Sequence, residues 1–128
     1  MKEDILQAQI YKYYYNKFCT KLNDPRHIIF SVPNGGFRTK SEAMKLKATG
    51  LMAGVSDLII IKPNEVVFCE VKIEKGYQSD KQKDFQNQVE TLGFRYVVVR
   101  SLEEFKKNIW KTIVNSNKGC IFVETKNK

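Results

Sequence analysis

The sequence predicts one mixed α/β domain, a mixed β-sheet flanked by helices, with the elements in the order helix, strand, hairpin, helix, strand, helix. Three observations carry that expectation. Apolar stripes recur at helical spacing near the start and twice beyond residue 79, short β-branched runs lie between them, and two of those runs flank a Pro-Asn pair. The 128 residues, 42% of them hydrophobic, suit a single core.

Taken in order, residues from about 2 to 22 align Leu6, Ile10, Tyr13, Tyr14 and Phe18 on one stripe, so the first element is an amphipathic helix. His27 to Val32 follows Asp24-Pro25 and is rich in strand-forming residues. A basic stretch punctuated by glycine runs from Asn34-Gly35-Gly36 to Gly54, and its middle, Ser41 to Leu46, suits a short helix. Asp57–Ile61 and Val66–Ile73 are apolar runs around Lys62-Pro63-Asn64-Glu65, which predicts a β-hairpin. Ser79-Asp80-Lys81-Gln82 has the form of a capping box, opening a helix with Phe85, Val89 and Leu92 on one stripe before Gly93 stops it. Tyr96–Val99 is apolar on both faces, as expected of an interior strand. Ser101-Leu102-Glu103-Glu104 opens a last helix carrying Leu102, Phe105, Ile109 and Ile113, and Cys120–Val123 suits an edge strand before a charged tail. Residues 1–115 are therefore expected to form the domain, with 116–128 as a C-terminal extension.

The formal net charge of +8 favours a polyanionic partner, most commonly nucleic acid, although charge sign alone leaves membrane surfaces and acidic proteins open. Met1-Lys2-Glu3-Asp4 puts acids where a secretory signal needs bases, and Leu58–Ile61 is too short to span a bilayer. Three widely spaced cysteines without a C-x-x-C pair signal neither a disulfide framework nor a zinc site. A reduced, cytoplasmic compartment is expected, with no membrane association and no small-molecule cofactor.

The chemistry gathers at the hairpin. If Pro63 and Asn64 are the loop and Lys62 faces Glu65, the pairing runs outward to set Asp57 opposite Glu70, with Cβ atoms roughly 4.5–5.5 Å apart. Lys72, two residues on, shares that face with Ile59, Ile61, Val66 and Phe68. Unpaired carboxylates are costly at the end of an apolar face, and a cation removes the cost. Phosphodiester hydrolysis asks for such groups: hard oxygen ligands for Mg²⁺ or Mn²⁺ from Asp57, Glu70 and the Val71 carbonyl, and Lys72 to orient the attacking water or offset charge. The plainer alternative is an Asp57–Lys72 salt bridge at a strand end.

Asp57 followed by Glu70-Val71-Lys72 resembles the PD-(D/E)xK nuclease pattern, and the surrounding residues resemble its virus-type replication-repair nuclease family, VRR-NUC. The matching pieces are Glu3-Asp4-Ile5-Leu6-Gln7, Asn34-Gly35-Gly36-Phe37-Arg38, Gly50 through Asp57, Glu70-Val71-Lys72 and Ser79-Asp80-Lys81-Gln82. Together they run from about Glu3 to Trp110, and Ser56 departs from the proline the family usually carries before the aspartate. The resemblance implies a restriction-endonuclease-like fold with an α-β-β-β-α-β core. It also implies that Glu3 reaches the metal site with support from Gln7, and that Gln82 touches the phosphate or water at the metal. Glu3 has the alternative of a favourable acid in a first helical turn, and Gln82 that of a capping-box partner.

Around this site, Asn34, Arg38, Lys40, Lys45, Lys47 and Lys75 are candidate phosphate contacts, with solvated surface or turn chemistry as the alternative for each. His27 is the only histidine, which disfavours histidine-metal nucleases and Ser/His hydrolases, and no phosphate-binding P-loop is present. The expectation is a Mg²⁺- or Mn²⁺-dependent DNA endonuclease. Its resemblance implies a homodimer acting on branched DNA such as four-way junctions. Flap, nicking or general endonuclease activity is the alternative within enzymes, and a catalytically silent DNA-binding module the alternative outside them.

Overall fold

The computed structural model describes residues 2–33, 39–116 and 119–124, with 111–116 and 119–124 as backbone. The chain opens with helix α1 (Glu3–Phe18), where residues four apart share a side, so Leu6, Ile10 and Tyr14 are buried together. Strands β1 (Ile28–Ser31), β2 (Leu58–Lys62), β3 (Glu65–Val71) and β4 (Arg95–Val99) form one sheet in that spatial order. The β1–β2 and β2–β3 pairs are antiparallel, while β3 and β4 run parallel. A parallel pair requires a crossover, which helix α3 (Asp80–Thr91) supplies.

The period of two along the strands divides the core. Leu58, Ile60, Val67, Cys69, Val71 and Val99 pack with α1 and with Phe105 and Ile109 of helix α4 (Leu102–Ile109). The opposite face carries Phe68, Tyr96 and Val98 against Phe85 and Val89 of α3. The sheet thus has α1 and α4 on one side and α3 on the other, the mixed architecture the sequence predicts. Helix α2 (Lys40–Ala48) is capped by Thr39, whose side chain accepts from the Glu42 N–H at 3.1 Å, and it buries no residue.

The structure corrects four expectations. Strand β4 lies at the edge of the four-stranded sheet; its apolar character on both faces reflects its cover by α3 and α4, which a sequence pattern reads the same way as an interior position. Ile113 belongs to strand β5 (Lys111–Ser116), because α4 ends at Ile109. Two buried or half-buried cations end it there: Lys62 Nζ donates to the Ile109 carbonyl at 2.8 Å, and Arg95 Nη2 donates to those of Asn108 and Ile109 at 3.0 Å. The strand over Cys120–Val123 is β6 (Gly119–Glu124), paired antiparallel with β5 in a separate two-stranded sheet. Finally, Asp57, Lys72 and Ile73 stand just outside β2 and β3.

Candidate active site

The β2–β3 turn fixes where the acids fall. Asn64 adopts φ 61°, a conformation asparagine tolerates, and the ladder runs from Lys62 opposite Glu65 to Leu58 opposite Cys69. The same register, continued one step past the last pair, would set Asp57 opposite Glu70. Here side-chain bonding replaces the ladder: Asp57 Oδ2 accepts from the Val71 N–H at 2.7 Å, and the Asp57 carbonyl accepts from Val32 N–H at 3.0 Å. The Lys72 N–H donates to the Val99 carbonyl at 3.0 Å, which carries β3–β4 pairing one residue past the strand. Burial raises the Asp57 carboxyl above the usual aspartate range, opposed by the Val71 N–H and by the charge of nearby Lys72.

Glu70 is fully buried, and its Oε1 accepts from the Tyr96 hydroxyl at 2.5 Å. Its Oε2 is also buried and has no hydrogen-bond partner among the described residues. An orphaned carboxylate oxygen in the interior is a standing cost, and Asp57 brings a second carboxyl to the same end of the hairpin. Both carboxylates act on the Tyr96 hydroxyl and the Cys69 thiol, each pushed up first by burial and then by these negative neighbours. A pair of hard oxygen donors at the margin of a closed face fits a divalent cation such as Mg²⁺ or Mn²⁺.

Among the described residues no three acids, histidines or cysteines assemble into a metal-sized group, and Asp57 and Glu70 are the two acids that both act on Tyr96 and Cys69. Glu3 stands half-buried in the first turn of α1. One turn on, Gln7 lines a cleft with Asp4, Ala8 and Tyr11 that is closed by Ser31 and by Leu58, the neighbour of Asp57. Gln82 completes the capping box: Ser79 Oγ accepts from the Gln82 N–H at 3.2 Å, and Gln82 Oε1 accepts from the Ser79 N–H at 2.8 Å. Its amide nitrogen is not spent on that cap. Lys40, Lys45 and Lys47 are exposed on α2, and Lys75 is exposed in the loop after Lys72. Asn34 and Arg38 lie outside the described residues.

Three residues that the pattern of the sequence did not single out shape this region. Tyr96 reads as one more apolar strand residue, although a tyrosine in a valine run signals a hydroxyl that needs a partner. Gly54, at φ +85°, brings the loop before Asp57 directly onto Lys81 and Gln82 at the start of α3. Arg100 Nη1 donates to the carbonyls of Ile73 at 2.8 Å and Gly76 at 2.7 Å, pinning the loop that follows Lys72.

A mixed sheet with helices on both faces and a carboxylate pair, followed by lysine, at one end of its central hairpin defines a nuclease-like α/β domain. The chain belongs to the VRR-NUC domain family, whose model matches residues 3–103. A solved structure described as a VRR_NUC domain protein is similar to it, with a TM-score of 0.66 at 23% identity over 85% of each chain. Among curated proteins, none matches. The family is a nuclease domain, which gives this chain a nuclease-type, DNA-processing function. No helix among the described residues is long and apolar enough to cross a membrane.

Proposed function

We propose that this chain is a divalent-metal-dependent DNA endonuclease, cutting phosphodiester bonds at a site built on Asp57, Glu70 and Lys72 and preferring branched DNA such as four-way junctions. The observation that carries the reading is Glu70 Oε2, buried and unpartnered, at the end of the hairpin where Asp57 also acts on Tyr96 and Cys69. Mg²⁺ or Mn²⁺, held by Asp57, Glu70 and the Val71 carbonyl, would supply Lewis-acid chemistry at the scissile phosphate. Lys72 orients the attacking water and offsets charge that develops on the phosphate oxygens. Gln82 contacts the phosphate through the amide nitrogen its cap leaves over, and Glu3 and Gln7 border the site from α1. Lys45, Lys47 and Lys75, with Asn34 and Arg38, contact the DNA backbone, consistent with a net charge of +8.

The preference for branched DNA and a homodimeric state rests on the likeness to stand-alone members of the family. A two-fold dimer suits cleavage of paired strands. Labelled linear, flapped and four-way DNAs incubated with Mg²⁺, with Mn²⁺ or with a chelator test the reading. Metal-dependent cleavage, fastest on the four-way substrate and lost in Asp57→Ala and Glu70→Gln, is expected. Cleavage that survives the chelator overturns the metal site, and equal rates on all substrates overturn the preference. DNA binding without any cleavage would leave a silent binding module.

A further inference from the structure

A buried carboxylate is useful as a ligand only if its free oxygen points one way, and Glu70 is held by a chain of side chains that begins in α3. Tyr96 sits in register with Phe68, one pleat step back from Glu70 on the same face of the sheet, so its ring reaches along the strand. The ring is gripped by Phe85, at 6.1 Å between centroids in an edge-on arrangement, and only 6% of the residue is exposed. Gln78 acts on its hydroxyl against the upward push of burial and Glu70, and Gln78 Nε2 donates to Gln86 Oε1 of α3 at 2.9 Å.

A phenol has one proton. Here that proton goes to Glu70 Oε1, so the carboxylate has one oxygen tied and the other untied. We infer that Tyr96 is a positioning residue for the cation site, fixing the Glu70 carboxylate so that Oε2 alone is left free for a cation, with Phe85 of α3 against its ring and Gln78, tied to Gln86, on the side of its hydroxyl. The inference rests on the metal-dependent reading above and adds to it a support that runs from α3 through the sheet to the ligand. Partners that orient a ligand from behind are a general requirement of metal sites, and losing one typically weakens metal binding about 10–100-fold.

A plain packing role makes a different prediction. If Tyr96 only fills space and satisfies a buried oxygen, replacing it by phenylalanine changes thermal stability and leaves cation affinity alone. The experiment therefore measures Mn²⁺ binding to the DNA-free protein by electron paramagnetic resonance, alongside thermal unfolding, for the unmodified chain, Tyr96→Phe, Gln78→Ala and Glu70→Gln. The expected result is that Tyr96→Phe, with its ring packing kept, binds Mn²⁺ about tenfold more weakly or worse. Gln78→Ala, which leaves both Tyr96 and Glu70 in place, should weaken it by a smaller factor. Unchanged affinity in folded Tyr96→Phe, while Glu70→Gln loses Mn²⁺, overturns the inference and spares the site. Unchanged affinity in Glu70→Gln overturns the site and the inference with it. Should Tyr96→Phe fail to fold, Gln78→Ala decides: weakened binding upholds the support from α3, and wild-type affinity overturns it.

Discussion

Gly54 and Lys81 touch so closely that a Cβ at position 54 would stand 2.4 Å from the Lys81 carbonyl oxygen and 3.0 Å from the Gln82 nitrogen. The loop leading into Asp57 is thereby seated on the first turn of α3, and backbone cannot yield there as a flexible side chain could. Gly50 offers a matched control, because it too has a positive φ, +108°, but a Cβ there would meet nothing within 4 Å. Gly50→Ala should cost about 1–3 kcal/mol from backbone conformation alone. Gly54→Ala should cost distinctly more and lower cleavage with it. Thermal unfolding of the two variants side by side checks this, and equal losses would mean the contact is not felt.

Lys72→Ala is expected to lower turnover on the order of 10²–10³-fold while leaving DNA affinity close to that of the unmodified protein. The lysine is proposed to act on charge that appears during the reaction, and one cation among many contributes little to holding the duplex. Single-turnover rates and a separate binding titration distinguish the two effects. Weakened binding at unchanged turnover would move Lys72 to the DNA-contact surface.

The capping box gives Gln82 a structural duty that can be subtracted. Ser79→Ala and Gln82→Ala each remove half of the cap and should each cost on the order of 1 kcal/mol in stability. Only Gln82→Ala should also slow Mg²⁺-dependent cleavage of the folded protein, because only Gln82 is proposed to reach the phosphate. Equal stability losses with full cleavage in both variants would leave Gln82 as a cap and nothing more.

Acid should weaken the fold through His27. Its Nδ1 lies 2.7 Å from the Tyr14 hydroxyl, its ring stacks on Phe18, and burial, followed by the charge of Lys62, holds its pKa below the ordinary 6.5. Burial pushes the Tyr14 hydroxyl far up, so Tyr14 keeps its proton and shares one hydrogen bond with Nδ1 of a neutral imidazole. The fold thus prefers the uncharged form. The stability this adds is complete above 6.5 and is lost as pH falls through the depressed folded value. Thermal midpoints at neutral pH and at about pH 5 should differ less in His27→Gln than in the unmodified protein. An identical difference would assign acid sensitivity to the carboxylates instead.

How far the sequence could be read follows from the range of each interaction. The hairpin register needs only Pro63-Asn64 and a period of two, so the pairing from Lys62–Glu65 to Leu58–Cys69 is legible in the sequence. The capping boxes at Ser79 and Ser101, and the stripe of α1, are equally local. The edge position of β4 was not legible, because a strand covered on both faces looks interior whichever neighbours it has. Nor was the Tyr96 bond to Glu70, which depends on a parallel register set by a crossover, or the close seat of Gly54 on Lys81. The end of α4 is hidden from the sequence for the same reason: Ile113 continues the helical spacing, but Lys62 and Arg95 arrive from distant strands to hold the carbonyls of Asn108 and Ile109.

The two bonds that set the carboxylates close loops of different length. Asp57 reaches Val71 across 14 residues through a hairpin, whereas Tyr96 reaches Glu70 across 26, through α3. The difference in closure entropy is small, about 0.6 kcal/mol per doubling of loop length, but the order of events is not symmetric. A hairpin zips in about 1–10 μs from its own turn, and a parallel strand must wait for its crossover helix to dock. The expected order is that the hairpin brings Asp57 and Glu70 to one end of the sheet first and that Tyr96 reaches Glu70 later. A chain caught between those moments would hold both acid residues with no phenol to steer either, so the proposed cation site would be completed by β4 and not before it.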